Sequence, residues 1–256
     1  MHAAKASPNH DRWIALSLAL LALVVHAPDG AGGFLSDDFQ QLAGVTTDGA
    51  VDPGKALGYF VRPLPGVDAP LPPDVDPRFW RPLLFLSLGV DFALFGARAA
   101  GFLAVNGTLH VAVVLAIFLL LRRWDRGVAI AAAALFAAWP GSHEAVPWIS
   151  ARCGPMALGA TIAAVIAAQG RRPGWTAAWA MVALLSKETA FVVAPLVTAF
   201  ALCRPGDRRD ALRQAAPAWA AFALYLGLRW RMLGELGGGY AVHDVSIFST
   251  TLWPGR

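Results

Sequence analysis

The sequence predicts an all-α, polytopic membrane protein with about seven transmembrane helices and a long first outer loop carrying membrane-surface helices. Three observations predict it. Of 256 residues, 57% are hydrophobic and 15% charged, and a mean hydropathy of +0.52 exceeds what the polar surface of a water-soluble domain covers. Apolar runs recur along the chain, bounded by charges or by Pro and Gly. The arginines fall in clusters between these runs, which gives the runs a direction. The same composition excludes disorder, and two cysteines exclude a disulfide-stapled secreted module. A pI near 9.5 does not indicate nucleic acid, because a net charge of +4 over 256 residues forms no basic arm.

The first run, 13–28, follows Lys5 and Arg12 and predicts a first crossing over 12–28. A cleaved signal peptide over 1–27 is the alternative: Val25 and Ala27 suit a cleavage site and Pro28 opposes one. An outer loop, 29–98, comes next and is rich in Pro, Gly and Asp. Within it, 34–45 predicts one amphipathic helix, with Ser36 as cap and Asp37 and Asp38 in the first turn. From 62 to 82 the prolines forbid regular structure. The run 82–97 contains Asp91, which is costly at mid-bilayer, and so predicts a helix lying along the outer membrane face. Six further crossings occupy 99–232, at 99–121, 127–140, 155–168, 174–185, 189–203 and 215–228. A bilayer core of about 30 Å takes about 20 helical residues, so the shorter runs must use their flanks. Residues 233–256 form an outer tail, and the whole chain reads as one membrane-embedded domain.

Charge placement fixes this topology. With 82–97 outside the membrane, Arg122, Arg123, Arg126, Arg171, Arg172, Arg204, Arg208, Arg209 and Arg213 all share the inner side with the N-terminus, as cytoplasmic loops require. Acids then outnumber cations on the outer side. Cys153 falls outside and Cys203 inside, so the two do not pair.

Four outer-side clusters carry candidate chemistry. Asp37-Asp38 is either a solvated helix start or a general base, since like charges side by side favour proton uptake by one of them. Arg78-Phe-Trp-Arg81 either anchors at the interface or clamps a phosphate, whose oxygens match guanidinium geometry. The stretch 140–152 holds His143, Glu144, Trp148 and Arg152; its His-Glu pair lacks the second histidine of a zincin helix, which excludes a metalloprotease. Ser186-Lys187-Glu188-Thr189 interrupts an apolar stretch, where ionisable residues are functional by default. Asn106 and His110 share one helix face, and hydrogen bonding between helices accounts for them. Together the outer side offers carboxylates for a base and cations for an anion, a set suited to moving a group from a phosphate-bearing lipid to a hydroxyl.

The residues that carry this set resemble a family. FLSDDF (34–39), RPLLFLSLGVDFALFG (81–96), GFLAVNGTLH (101–110), ALFAAWPGSHEAVPWISAR (134–152), LLSKETAFVVAPL (184–196) and LGLRWRMLG (226–234) resemble, in order and spacing, the C-type glycosyltransferase superfamily. The resemblance is greatest to the protein O-mannosyltransferases with tetratricopeptide repeats and their bacterial relatives. It implies an inverting hexosyltransferase of the bacterial plasma or inner membrane, active at the outer or periplasmic face. The enzyme would move mannose or a similar sugar from a polyprenyl-phosphate donor to a hydroxyl on protein or glycan. By family position Asp37 would be the base and Asp38 would orient or bind. Lys187 would hold the donor phosphate with Arg81 or Arg152, leaving His143, Glu144, Glu188 and Arg78 as acceptor-binding or supporting residues. The resemblance implies no nucleotide sugar, no obligatory cofactor and no structural metal, and leaves a divalent ion open.

Relatives commonly carry an acidic residue two places after that arginine, where Gly154 stands here, and continue with more helices beyond the position of Arg256. The chain is therefore expected to be an N-terminal part, with a separate C-terminal half as a partner. Other readings are a transporter or lipid flippase, against which stands the gathering of charge on one side, and a non-catalytic or split fragment of a glycosyltransferase.

Overall fold

The structure is a computed structural model that describes residues 8–62, 75–204, 206–234, 236 and 239–242. It is mostly helical, 77% helix in ten α-helices among the described residues. These are α1 (Pro8–Val25), α2 (Asp38–Ala43), α3 (Pro53–Gly58), α4 (Pro82–Phe95), α5 (Ala99–Leu121), α6 (Arg126–Ala137), α7 (Cys153–Gln169), α8 (Pro173–Ser186), α9 (Val193–Leu202) and α10 (Arg208–Leu233). Local chemistry sets several of the boundaries. Asp125 and Asp207 cap α6 and α10 by accepting from the backbone N–H of Val128 and Arg209, and prolines open α3, α4 and α8 from positions where no N–H is needed. Gly234, at φ +71°, closes α10 in the left-handed conformation that ends a helix.

Three apolar clusters hold the helices together. Alanine-rich faces of α7, α8, α9 and α10 meet around Leu184, Val193, Val197 and Tyr225, and small side chains let such backbones approach closely. Helices α1, α5 and α6 meet around Ala22, Val114, Phe118 and Ala133. The third cluster roofs one end: α2, α3 and α4 enclose Val45, Tyr59, Phe85 and Leu88 and close on Phe102, Ile149 and Cys153.

The loop between α1 and α4 differs from expectation in three ways. The helix expected over 34–45 is a single short turn pair, α2, beginning at Asp38. Ser36 does not cap it: its φ of +45° places it in the left-handed region, which ends helical geometry there. Second, the loop contains a hairpin, β1 (Thr46–Thr47) and β2 (Ala50–Val51), turning on Asp48 and Gly49, both at positive φ, followed by α3 with Asp52 as its cap. Third, prolines do not exclude regular structure up to residue 82. Strand β3 (Val75–Arg78) pairs antiparallel with β4 (Gly239–Val242), Pro77 opposite Tyr240, because a two-stranded ribbon has an outer edge on which a residue without an N–H is tolerated. The rest of the expected irregular stretch, 63–74, lies outside the described residues.

At the other end, the expected gathering of arginines is present. Asp11 at the start of α1 pairs with Arg122 and Arg126; Arg123 and Arg204 both donate to Gln169; Arg171 pairs with Asp210. The starts of α1, α6 and α10 and the ends of α5, α7 and α9 therefore share one end of the bundle. Among the described residues, two helical stretches are long and apolar enough to cross a membrane, Ala99–Leu121 and Ile149–Gln169; Pro82–Phe95, Arg126–Ala137 and Glu188–Leu202 are apolar but shorter. Large apolar side chains nonetheless face outward along α1 (Trp13, Leu16, Leu20), α6 (Leu135), α8 (Trp175) and α10 (Leu224), each more than half exposed.

Candidate functional site

The acidic pair is built by the break at Ser36. Leu35 and Asp38 close a tight turn in which the Leu35 N–H donates to Asp38 Oδ2 at 2.9 Å, and Ser150 N–H donates to Asp38 Oδ1 at 2.8 Å. Asp38 is 1% exposed, so its carboxylate is buried against two backbone donors. Asp37 is half-buried. Its Oδ1 accepts from Trp148 Nε1 at 2.8 Å and Ser150 Oγ at 3.1 Å, and its Oδ2 accepts from Gln41 Nε2 at 2.9 Å.

Trp148 and Ser150 belong to a turn that runs into a 3-10 helix, Ile149–Arg152, and then directly into α7. Buried polar groups hold this turn from beneath. Asn106, fully buried on α5, donates its amide to the carbonyls of Val146 and Trp148 at 3.0 and 3.1 Å, so its partners are loop carbonyls and not a neighbouring helix. His110, one turn along, packs edge-on to His26 and stacks on Phe136. Arg152, fully buried, donates to the carbonyls of Ile149 and Phe102 at 3.1 Å each and pairs with Asp91. Burial pushes the Asp91 carboxyl up, offset by the charge and hydrogen bond of Arg152. Asp91 thus faces the interior of the protein, where its counter-ion is, and Arg152 is spent on that ion pair and two carbonyls; it presents no free face to a donor phosphate.

The cations gather where the turn enters α7. Trp80 is buried rather than placed at an interface: its Nε1 donates to the Tyr59 carbonyl at 2.9 Å and its ring stacks on Tyr225. That anchor sets the neighbouring Arg81, which grips Glu188 with two donors, Nε at 2.9 Å and Nη2, and reaches Cys153 Sγ at 3.9 Å. Burial raises the Glu188 carboxyl, but the hydrogen bonds and charge of Arg81 outweigh it and leave the group below its ordinary value.

Lys187 lies in an extended break between α8 and the 3-10 turn Glu188–Val192. Its ammonium has no hydrogen-bond or ion-pair partner among the described residues, and a Cβ on Gly154 would stand 3.9 Å from its Nζ. The missing side chain at 154 therefore keeps the space beside that ammonium open. Arg229, fully buried on α10, lies behind this cluster, bonded to Tyr225 Oη and the Leu236 carbonyl.

Of the residues singled out in the sequence, Asp37, Asp38, Arg81, Arg152, Lys187 and Glu188 are all brought to the stretch 148–154 or its immediate neighbours. Glu144 is exposed on the loop ahead of it. The side chains of Arg78 and His143 lie outside the described residues. Sequence reasoning missed Trp148, Ser150 and Arg229 as members of the site and the partnership of Asp91 with Arg152. Arg229 had a legible signal, a guanidinium in an apolar helix. Among the described residues no group of three or more His, Cys, Asp or Glu is arranged to hold a metal ion. No protein-family model matches the chain, and no curated protein and no solved structure matches it.

Proposed function

We propose that the protein is an integral membrane glycosyltransferase that moves a sugar from a polyprenyl-phosphate donor to a hydroxyl acceptor at the outer face of the membrane. One observation carries the reading: a single stretch, 148–154, holds a carboxylate pair on one side through Trp148 and Ser150 and meets two cations on the other, Arg81 at Cys153 and Lys187 at Gly154. Ser150 and Cys153 stand three positions apart where the 3-10 turn enters α7, a rise of about 6 Å along the backbone.

In this reading Asp37 takes the proton of the acceptor hydroxyl as the acceptor oxygen bonds to the anomeric carbon. The bond from that carbon to the phosphate oxygen breaks on the opposite face, and the electron pair leaves on the polyprenyl phosphate. Lys187, with Arg81 beside it, stabilises that charge as it develops. Asp38 keeps its neighbour oriented, and Arg152 supports the turn from inside. The outward apolar side chains of α1, α6, α8 and α10 support a lipid surround, and the arginine-rich end supports an inner side for the end opposite the carboxylates.

The test is transfer from sugar-labelled polyprenyl phosphate in membranes containing the protein. Asp37→Asn preserves shape and cannot take the proton, so transfer should fall by roughly 10²- to 10⁴-fold while donor binding persists. Equal rates in wild type and Asp37→Asn overturn the assignment of the base.

A further inference from the structure

We infer that Trp148 and Ser150 are positioning residues for the Asp37 carboxylate, aiming its one open acceptor position at the substrate hydroxyl. This rests on the transferase reading and adds the device that orients its base.

A carboxylate offers about four acceptor positions. Trp148 and Ser150 fill two on Oδ1, and Gln41 fills one on Oδ2, so one remains, on Oδ2. With Oδ1 held by two donors, the carboxylate cannot rotate, and the open position has a single direction. A base that must meet one hydroxyl in line with a breaking bond requires that constraint.

The arrangement is not the ordinary local one. Asp37 occupies the cap position of α2, where an aspartate normally accepts from its own helix, yet it makes no side-chain cap bond. Its partners on Oδ1 are instead 111 and 113 residues away in sequence. The donors are themselves fixed. Asn106 holds the carbonyls of residues 146 and 148, Arg152 holds that of 149, and Asp38 holds the N–H of Ser150. Four backbone groups around Trp148 and Ser150 are thus tied by buried side chains.

The experiment has two readouts on the full-length protein. Carbodiimide-driven amine labelling of carboxyls, read by mass spectrometry, reports the freedom of Asp37 without requiring turnover. Labelling of Asp37 should rise severalfold in Trp148→Phe with Ser150→Ala, while buried Asp38 stays unlabelled. Steady-state transfer should show kcat lowered about tenfold in each single variant and about a hundredfold in the double, with KM for the donor unchanged. Ser150→Thr, which keeps the hydroxyl, should recover most of the loss. Unchanged kcat in both single variants beside an inactive Asp37→Asn overturns the inference and leaves the transferase reading intact, as does a rise in donor KM equal to the fall in kcat. Absence of transfer by the wild type overturns that reading and the inference with it.

Discussion

At the end of the bundle that carries Asp37, the ion pairs are withdrawn from water: Arg152–Asp91 is buried, and Arg81–Glu188 retains 18% and 20% side-chain exposure. At the opposite end, about 25 Å away along the 17 residues of α7, Arg171–Asp210 retains 69% and 37%. The counter-ions are equally near in both cases, so proximity does not distinguish them. Solvation does. A charge in water needs no partner, whereas each charge taken out of it must be matched in position by another or by polar backbone. The first end therefore has geometry imposed on it, and the Arg171–Asp210 pair at the second does not.

The largest expected effect breaks this contrast directly. Arg152→Ala leaves Asp91 buried without a counter-ion and should cost about 3–5 kcal/mol of stability, read by unfolding of the detergent-solubilised protein. Arg171→Ala should cost less than about 1 kcal/mol in the same assay. Similar losses at both ends would mean that burial is not the distinction. A smaller effect is expected in donor binding. Lys187→Ala should weaken binding of polyprenyl-phosphate sugar about tenfold, as loss of one charge-assisted contact does, and Lys187→Arg should keep part of it because charge survives with different geometry. Arg204→Ala, at the other end, should leave it unchanged.

The smallest concerns acid. Glu188 is held below its ordinary value of 4.5, so the unfolded chain takes up its proton first as pH falls. The stability contributed by the Arg81 contact is therefore present above about pH 4.5 and is lost as pH drops through the lower folded value. Thermal midpoints of wild type and Glu188→Gln, compared at pH 6 and on acidification below 4.5, should converge, because only the wild type has this contact to lose.

The two regions also differ in how far the sequence disclosed them. Helix α5 coincides with its expected range because Arg98 and Arg122 bracket an uninterrupted apolar run, and the arginine-rich end followed from charge placement alone. The acidic end did not follow in the same way. Asp91 was legible as a costly residue, but its remedy, Arg152, is 61 positions away, and no local pattern couples them. Trp148 stood in the ionisable stretch 140–152 with no role of its own, since its indole N–H reveals that role only when a fold brings Asp37 to it. The hairpin on Asp48-Gly49 left a turn signal, but two-residue strands are too short to show alternation. Where structure depends on periodicity the sequence discloses it; where it depends on pairs of polar groups distant in the chain, each partner is visible and the pairing is not.

The central claim is that these two ends face opposite sides of a membrane, with the carboxylates outside. The chain supplies its own probe. Cys203 is exposed at the arginine-rich end and Cys153 is buried, so an exposed Ser36→Cys adds one reactive thiol at the acidic end. In intact cells a membrane-impermeant maleimide should modify position 36 and spare Cys203, and opening the cells should make Cys203 react. Modification of Cys203 in intact cells at the rate of position 36 would contradict the account.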